Sequence, residues 1–165
     1  MVAFLVLNVV LMGGTEEIDS RGVLQPILEE RFSVSTTGSL IGGIWLVWHP
    51  PLFWTDNPNF VLELSEFGPY VVFIIGVSLV LGALINVTDG AVVPAIVLHS
   101  TVNLGAFLGV SGGWLNNQLA SLVIGAGVWW SIEVIFLVRY GLDMTPEGRK
   151  TVTPPRVGGQ STARS

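Results

Sequence analysis

The sequence predicts an all-α protein, a polytopic transmembrane bundle of about five membrane helices. Three observations carry that expectation. Half of the 165 residues are apolar and only 12% are charged, too little charge to cover a water-soluble domain of this length. The mean hydropathy is +0.67. The apolar residues also fall into runs close to the ~20 residues that a helix needs to cross hydrocarbon. The chain suffices for one compact bundle, residues 1–140. A Pro/Gly/Ser/Thr-rich tail follows over 141–165, without apolar periodicity and expected to be disordered.

The first helix opens on the apolar run Met1–Met12. This run lacks the basic flank and the small-residue cleavage site of a signal peptide. It passes through Gly13, Gly14, Thr15, Glu16 and Glu17 into an amphipathic continuation, Gly22–Glu30. The second helix covers about Thr37 to Trp54, with Pro50 and Pro51 ending or kinking it. The third, Gly68 to Asn86, is uncharged. The fourth runs from about Ala91 to Val110 and carries His99. The fifth, Leu115 to Val138, carries Glu133 near its end. No internal repeat is visible.

Charge and cysteine content narrow the function classes. A net charge of −5 argues against nucleic acid as a partner, and the lack of cysteine excludes disulfides and thiolate metal sites. The basic residues are Arg21, Arg31, Arg139, Arg149, Lys150, Arg156 and Arg164; the linker Asp56–Glu66 and the Gly112-Gly113 turn have none. The positive-inside rule then puts the C-terminus and the Arg31 loop in the cytoplasm of a multi-pass protein of the cell membrane.

Charges inside a bilayer cost ~2.5–3.5 kcal/mol each at a helix centre, so those present require a reason. The first group is Glu16, Glu17, Asp19, Ser20 and Arg21. Glu17 and Arg21 stand four apart with the acid first, the better order for a helical ion pair. Glu16 points about 100° away on an α-helix. It has no partner on its own helix except Ser20, which suits a general base. An interfacial loop, where charges cost little, explains the same residues. The second group is Trp45 and His49, one turn apart and followed by the proline pair; His49 is either a packing residue or part of a site. The third is His99 and Asn103, also one turn apart. They could stabilise an oxyanion or bond between helices. Together, a carboxylate, two imidazoles and an amide on three helices supply the parts of a hydrolase.

These residues resemble the CPBP intramembrane proteases, a family that includes CAAX prenyl endopeptidases and bacteriocin-processing or immunity proteins. The family pattern is EExxxR, FxxxH and HxxxN on successive membrane helices. Glu16, Glu17 and Arg21 complete the first motif, with Gly22 following. His99 and Asn103 complete the third, with Pro94 upstream. In the second, Trp45 replaces the usual phenylalanine before His49. The resemblance covers about residues 10 to 110. It implies the catalytic core of a larger family fold, because members usually carry further N-terminal spans.

Carried over residue by residue, the resemblance implies Glu16 as general base, with His49 helping to hold and activate water. His99 and Asn103 would stabilise the oxyanion, and Glu17, Arg21 and Trp45 would support the site. The implied substrate is a membrane-associated protein or peptide, in one branch a prenylated CAAX protein. The family's older metalloprotease label makes zinc on Glu16, His49 and His99 an alternative to metal-free water activation, which the residue types favour. Two other classes stay open: a small proton-coupled transporter, and a non-catalytic membrane scaffold or immunity protein.

Overall fold

The computed structural model describes residues 13–49, 63–111, 117–142 and 144, and among them every regular element is helical. The first helical run is built of three pieces. They are α1 (Thr15–Glu17), a π-helical segment (Ile18–Leu24) and α2 (Gln25–Glu29). The π register shows in the amide of Gln25, which bonds the carbonyl of Ser20 five residues back. A plain α-helix is what the sequence leads one to expect here. The widened turn sits in a polar stretch directly before Pro26, which brings no backbone donor of its own.

Helix α3 (Val34–Trp48) starts three residues before the expected Thr37, because Ser33 caps it by accepting from the Thr36 amide. It stops at His49, well short of Trp54, and residues 50–62 lie outside the described part. Helix α4 (Phe67–Val87) is preceded by a 3-10 turn, Leu64–Glu66, that Glu63 and Glu66 close with a reciprocal capping box. It ends in a tight turn with Asp89 at φ 58° and Gly90 at φ 80°, where the Gly90 amide reaches the Ile85 carbonyl at 2.8 Å. Helices α5 (Val92–Ser111) and α6 (Gln118–Tyr140) complete the bundle. Asn117 caps α6 through the Ala120 amide, and Gly141, at φ 76°, releases it.

Contact registers give the helix directions. Arg21 meets Ser78, Gln25 meets Gly82 and Glu29 meets Asn86, each pair separated by 57 residues. A constant offset requires the first run and α4 to lie parallel. Gly38 faces Leu79 while Gly42 faces Ile75, so α3 runs antiparallel to α4. Gly13 faces Ser100 and Gly22 faces Val92, so α5 is antiparallel to the first run. On the other side of α4, Gly125 lies by Phe73 and Gly76 by Trp130, which makes α6 parallel to α4. Directions therefore alternate along the chain, as in an up-and-down bundle.

Glycines let these helices approach closely. A Cβ on Gly42 would sit 2.9 Å from Ile75 Cδ1 and 3.1 Å from Ser78 Cβ; one on Gly38 would sit 3.2 Å from Leu79 Cα. The small pair Gly38/Gly42 is thus the α3 half of a tight membrane-type interface. Ile41, Trp45, Tyr70, Ile74, Val77, Leu81, Ile85 and Ala95 form the main buried cluster around it.

Two of the helices, Leu64–Val87 and α6, are long and apolar enough to cross a membrane; Val34–Trp48 and Val92–Ala106 are apolar but shorter. The expected C-terminal tail lies almost wholly outside the described residues.

Candidate active site

The polar residues of the first run meet α5 at His99. His99 is 7% exposed, and Glu17 and Arg21 are fully buried. The carboxylate of Glu17 accepts a hydrogen bond from His99 Nδ1–H at 2.8 Å, and Glu16 Oε2 lies 3.8 Å from His99 Nε2. Two adjacent acids therefore address the two nitrogens of one imidazole. Glu16 keeps a third of its side chain exposed, whereas Glu17 has none. The pair thus divides into an accessible carboxylate and an enclosed one.

Glu17 also meets Arg21 as the four-residue spacing predicts, with Oε2 3.3 Å from Nε. That contact is ionic and lacks the alignment of a directed hydrogen bond. The guanidinium finds its directed bonds elsewhere. Nη2 donates to Ser78 Oγ at 2.8 Å and Nη1 to Gln25 Oε1 at 3.3 Å. Ser78 passes its own proton to the Gly38 carbonyl at 2.7 Å, which ties α3, α4 and the first run together at one point.

Trp45 is packed into the same site. Its ring lies 5.2 Å from the His99 ring, and the Arg21 guanidinium stands 5.3 Å above it. The aromatic residue of the second motif thus touches both other motifs. His49, the C-cap of α3, makes its polar contact with its own helix, Nδ1 to the Trp45 carbonyl at 2.7 Å. A carbonyl only accepts, so Nδ1 carries the proton and Nε2 of the neutral ring is left as an acceptor.

Of the four residues given reactive roles, the structure brings Glu16 and His99 into contact. Neither His49 nor Asn103 makes a hydrogen bond or ion pair with them among the described residues. Asn103 lies one turn beyond His99 on α5, partly buried.

The expected isolation of Glu16 is also revised. Ser20 donates to the Glu16 backbone carbonyl, and the Glu16 side chain turns to His99. Nor does Glu17 serve Arg21 alone, since its other oxygen orients His99. Three residues absent from the sequence reading of the site belong to its surroundings: Gln25, Ser78 and Glu29. A signal for two of them was present. Glu17, Arg21, Gln25 and Glu29 recur every fourth residue in an amphipathic run.

Among the described residues no three His, Asp or Glu side chains gather as a metal site. The Nδ1 atoms of His49 and His99 are both held by protein acceptors, which leaves Nε2 as the nitrogen each ring turns outward from that contact.

Fold and site together define a helical protein with membrane-type packing and a buried carboxylate–imidazole centre. The profile of the type II CAAX prenyl endopeptidase Rce1-like family matches residues 1–105, which include every residue of the candidate site. The chain belongs to this family of membrane-embedded CAAX proteases. Comparison with curated proteins and with solved structures gives no match.

Proposed function

We propose that the protein is an intramembrane endopeptidase that hydrolyses a peptide bond of a membrane-associated, prenylated CAAX-type protein or peptide. The observation that carries this reading is the grip of Glu16 and Glu17 on the two nitrogens of His99. Family membership supports the reaction class.

In this reading Glu16 is the general base. It is the more accessible of the two acids and can take a proton from a water molecule as the oxygen attacks the scissile carbonyl. His99, its Nδ1–H held by Glu17, donates from Nε2 to the oxygen on which negative charge develops when the ring carries both protons. The Asn103 amide, one turn further along α5, would donate a second hydrogen bond to that oxygen. The unprotonated Nε2 of His49 can hold the attacking water from the α3 side. When the tetrahedral intermediate collapses, the C–N bond breaks and Glu16 returns its proton to the departing amine. Arg21 keeps Glu17 charged and in place. All five helices would cross the membrane, with the C-terminus in the cytoplasm.

The test uses purified full-length protein in liposomes with a farnesylated peptide ending in a CAAX sequence. Mass analysis should show a shortened peptide, its formation abolished by His99→Ala and undiminished after chelation of metal. An intact peptide with wild-type protein, or cleavage that survives His99→Ala, would contradict the proposal.

A further inference from the structure

The polar chain behind the site does not end at Arg21. It continues down the first run to Gln25 and Glu29, and each step is matched on α4. Arg21 meets Ser78, Gln25 meets the Gly82 carbonyl at 3.0 Å, and Glu29 meets the Asn86 amide at 2.8 Å. A stripe of residues four apart drifts about 40° per step around an ideal α-helix. The wider π-helical turn over Ile18–Leu24 counters that drift, so the ladder from Arg21 to Glu29 stays against α4.

Donor and acceptor counting fixes the direction of this chain. A guanidinium only donates, so Gln25 must turn its oxygen toward Arg21. Its NH2 group then points to Glu29 Oε1 at 2.6 Å and to the Gly82 carbonyl, both acceptors. A flipped amide would oppose donor to donor and acceptor to acceptor at once. Arg21, the Gly82 carbonyl and Glu29 therefore set the orientation of Gln25 together, and Asn86 holds Glu29 from the facing helix. Gln25 is 1% exposed, so water cannot readily substitute for a lost partner.

We propose that Gln25 and Glu29 are positioning residues that act through Arg21 and Glu17 to set the orientation of His99. The inference rests on the reading of His99 as part of the active site. Gln25 and Glu29 touch no reacting atom; their effect is to keep Arg21 on Glu17, and so Glu17 on the imidazole.

The experiment compares Glu29→Leu with Glu29→Gln in full-length protein reconstituted in liposomes. Leucine removes the acceptor, whereas glutamine keeps an oxygen that both Gln25 and Asn86 can reach. Glu29→Leu should lower kcat about tenfold with KM unchanged, the order expected for loss of one buried hydrogen-bond link. Glu29→Gln should stay within about threefold of wild type, which marks the acceptor rather than side-chain bulk as the cause. Gln25→Leu should match Glu29→Leu, and the double Leu variant should be no worse than either, because both break one chain. The exposed neighbour variant Glu30→Gln should have no effect. The proton on His99 Nδ1, followed by NMR, should shift in Glu29→Leu and not in Glu29→Gln.

Wild-type kcat together with an unmoved His99 signal in Glu29→Leu would overturn the inference. So would equal losses in the Leu and Gln variants. If wild-type protein cleaves no peptide, the protease reading fails, and the NMR comparison still decides whether the ladder controls His99.

Discussion

Among the described residues two carboxylates are almost wholly withdrawn from solvent, Glu17 at 0% and Glu133 at 2% exposure, and they are treated in opposite ways. Glu17 lies among Arg21, His99 and a ladder of amides and hydroxyls. Glu133 lies on α6 with neither oxygen hydrogen-bonded. The helices differ in the same sense. The spanning part of α4 is 67% buried inside the bundle, whereas that of α6 is 11% buried. Burial by itself therefore does not separate these two acids. What distinguishes the site is that its charge is partnered across three helices.

That contrast can be broken from either side. Arg21→Leu should have the largest effect, because it leaves Glu17 enclosed without its cation. Loss of one partner of a buried pair costs about 3–5 kcal/mol, and denaturation in detergent would measure it. Ser78→Ala should come next. It removes a directed bond from Arg21 and frees the Gly38 carbonyl, and it should cost about 1–3 kcal/mol with Arg21 still charged and in place. Glu133→Leu should have the smallest effect and the opposite sign. Removing an unsatisfied buried carboxyl should raise stability by about 1 kcal/mol and leave peptide cleavage unchanged. A large loss of stability or cleavage in Glu133→Leu would mean that the orphan acid has a role comparable to Glu17.

Much of the fold was legible in the sequence because apolar runs and breakers are local signals. The expected Gly68–Asn86, Ala91–Val110 and Leu115–Val138 helices correspond to α4, α5 and α6, shifted by three residues or fewer at each end. The ion pair of Glu17 and Arg21 was also legible, since helical spacing alone brings the two together. The π-helical turn was not. Its register depends on how a polar stripe must face α4, a tertiary demand that no pattern within Ile18–Leu24 announces.

The same holds for the second role of Glu17. An α-helical projection separates it from Glu16, yet the long His99 ring is reached by both acids, one at each nitrogen. Gln25 and Glu29 were masked by their setting in an amphipathic segment, where polar residues are ordinarily taken to face water. Only the matching period of Ser78, Gly82 and Asn86 on α4 reveals why they point inward.

The central claim is that Glu16 is the base of a hydrolytic site and Glu17 its enclosed support. Single-turnover cleavage of a farnesylated CAAX peptide by Glu16→Gln protein in liposomes tests it most directly. The rate should fall at least about a thousandfold, with melting temperature and peptide binding unchanged, as removal of the general base would require. Wild-type turnover by Glu16→Gln would contradict it.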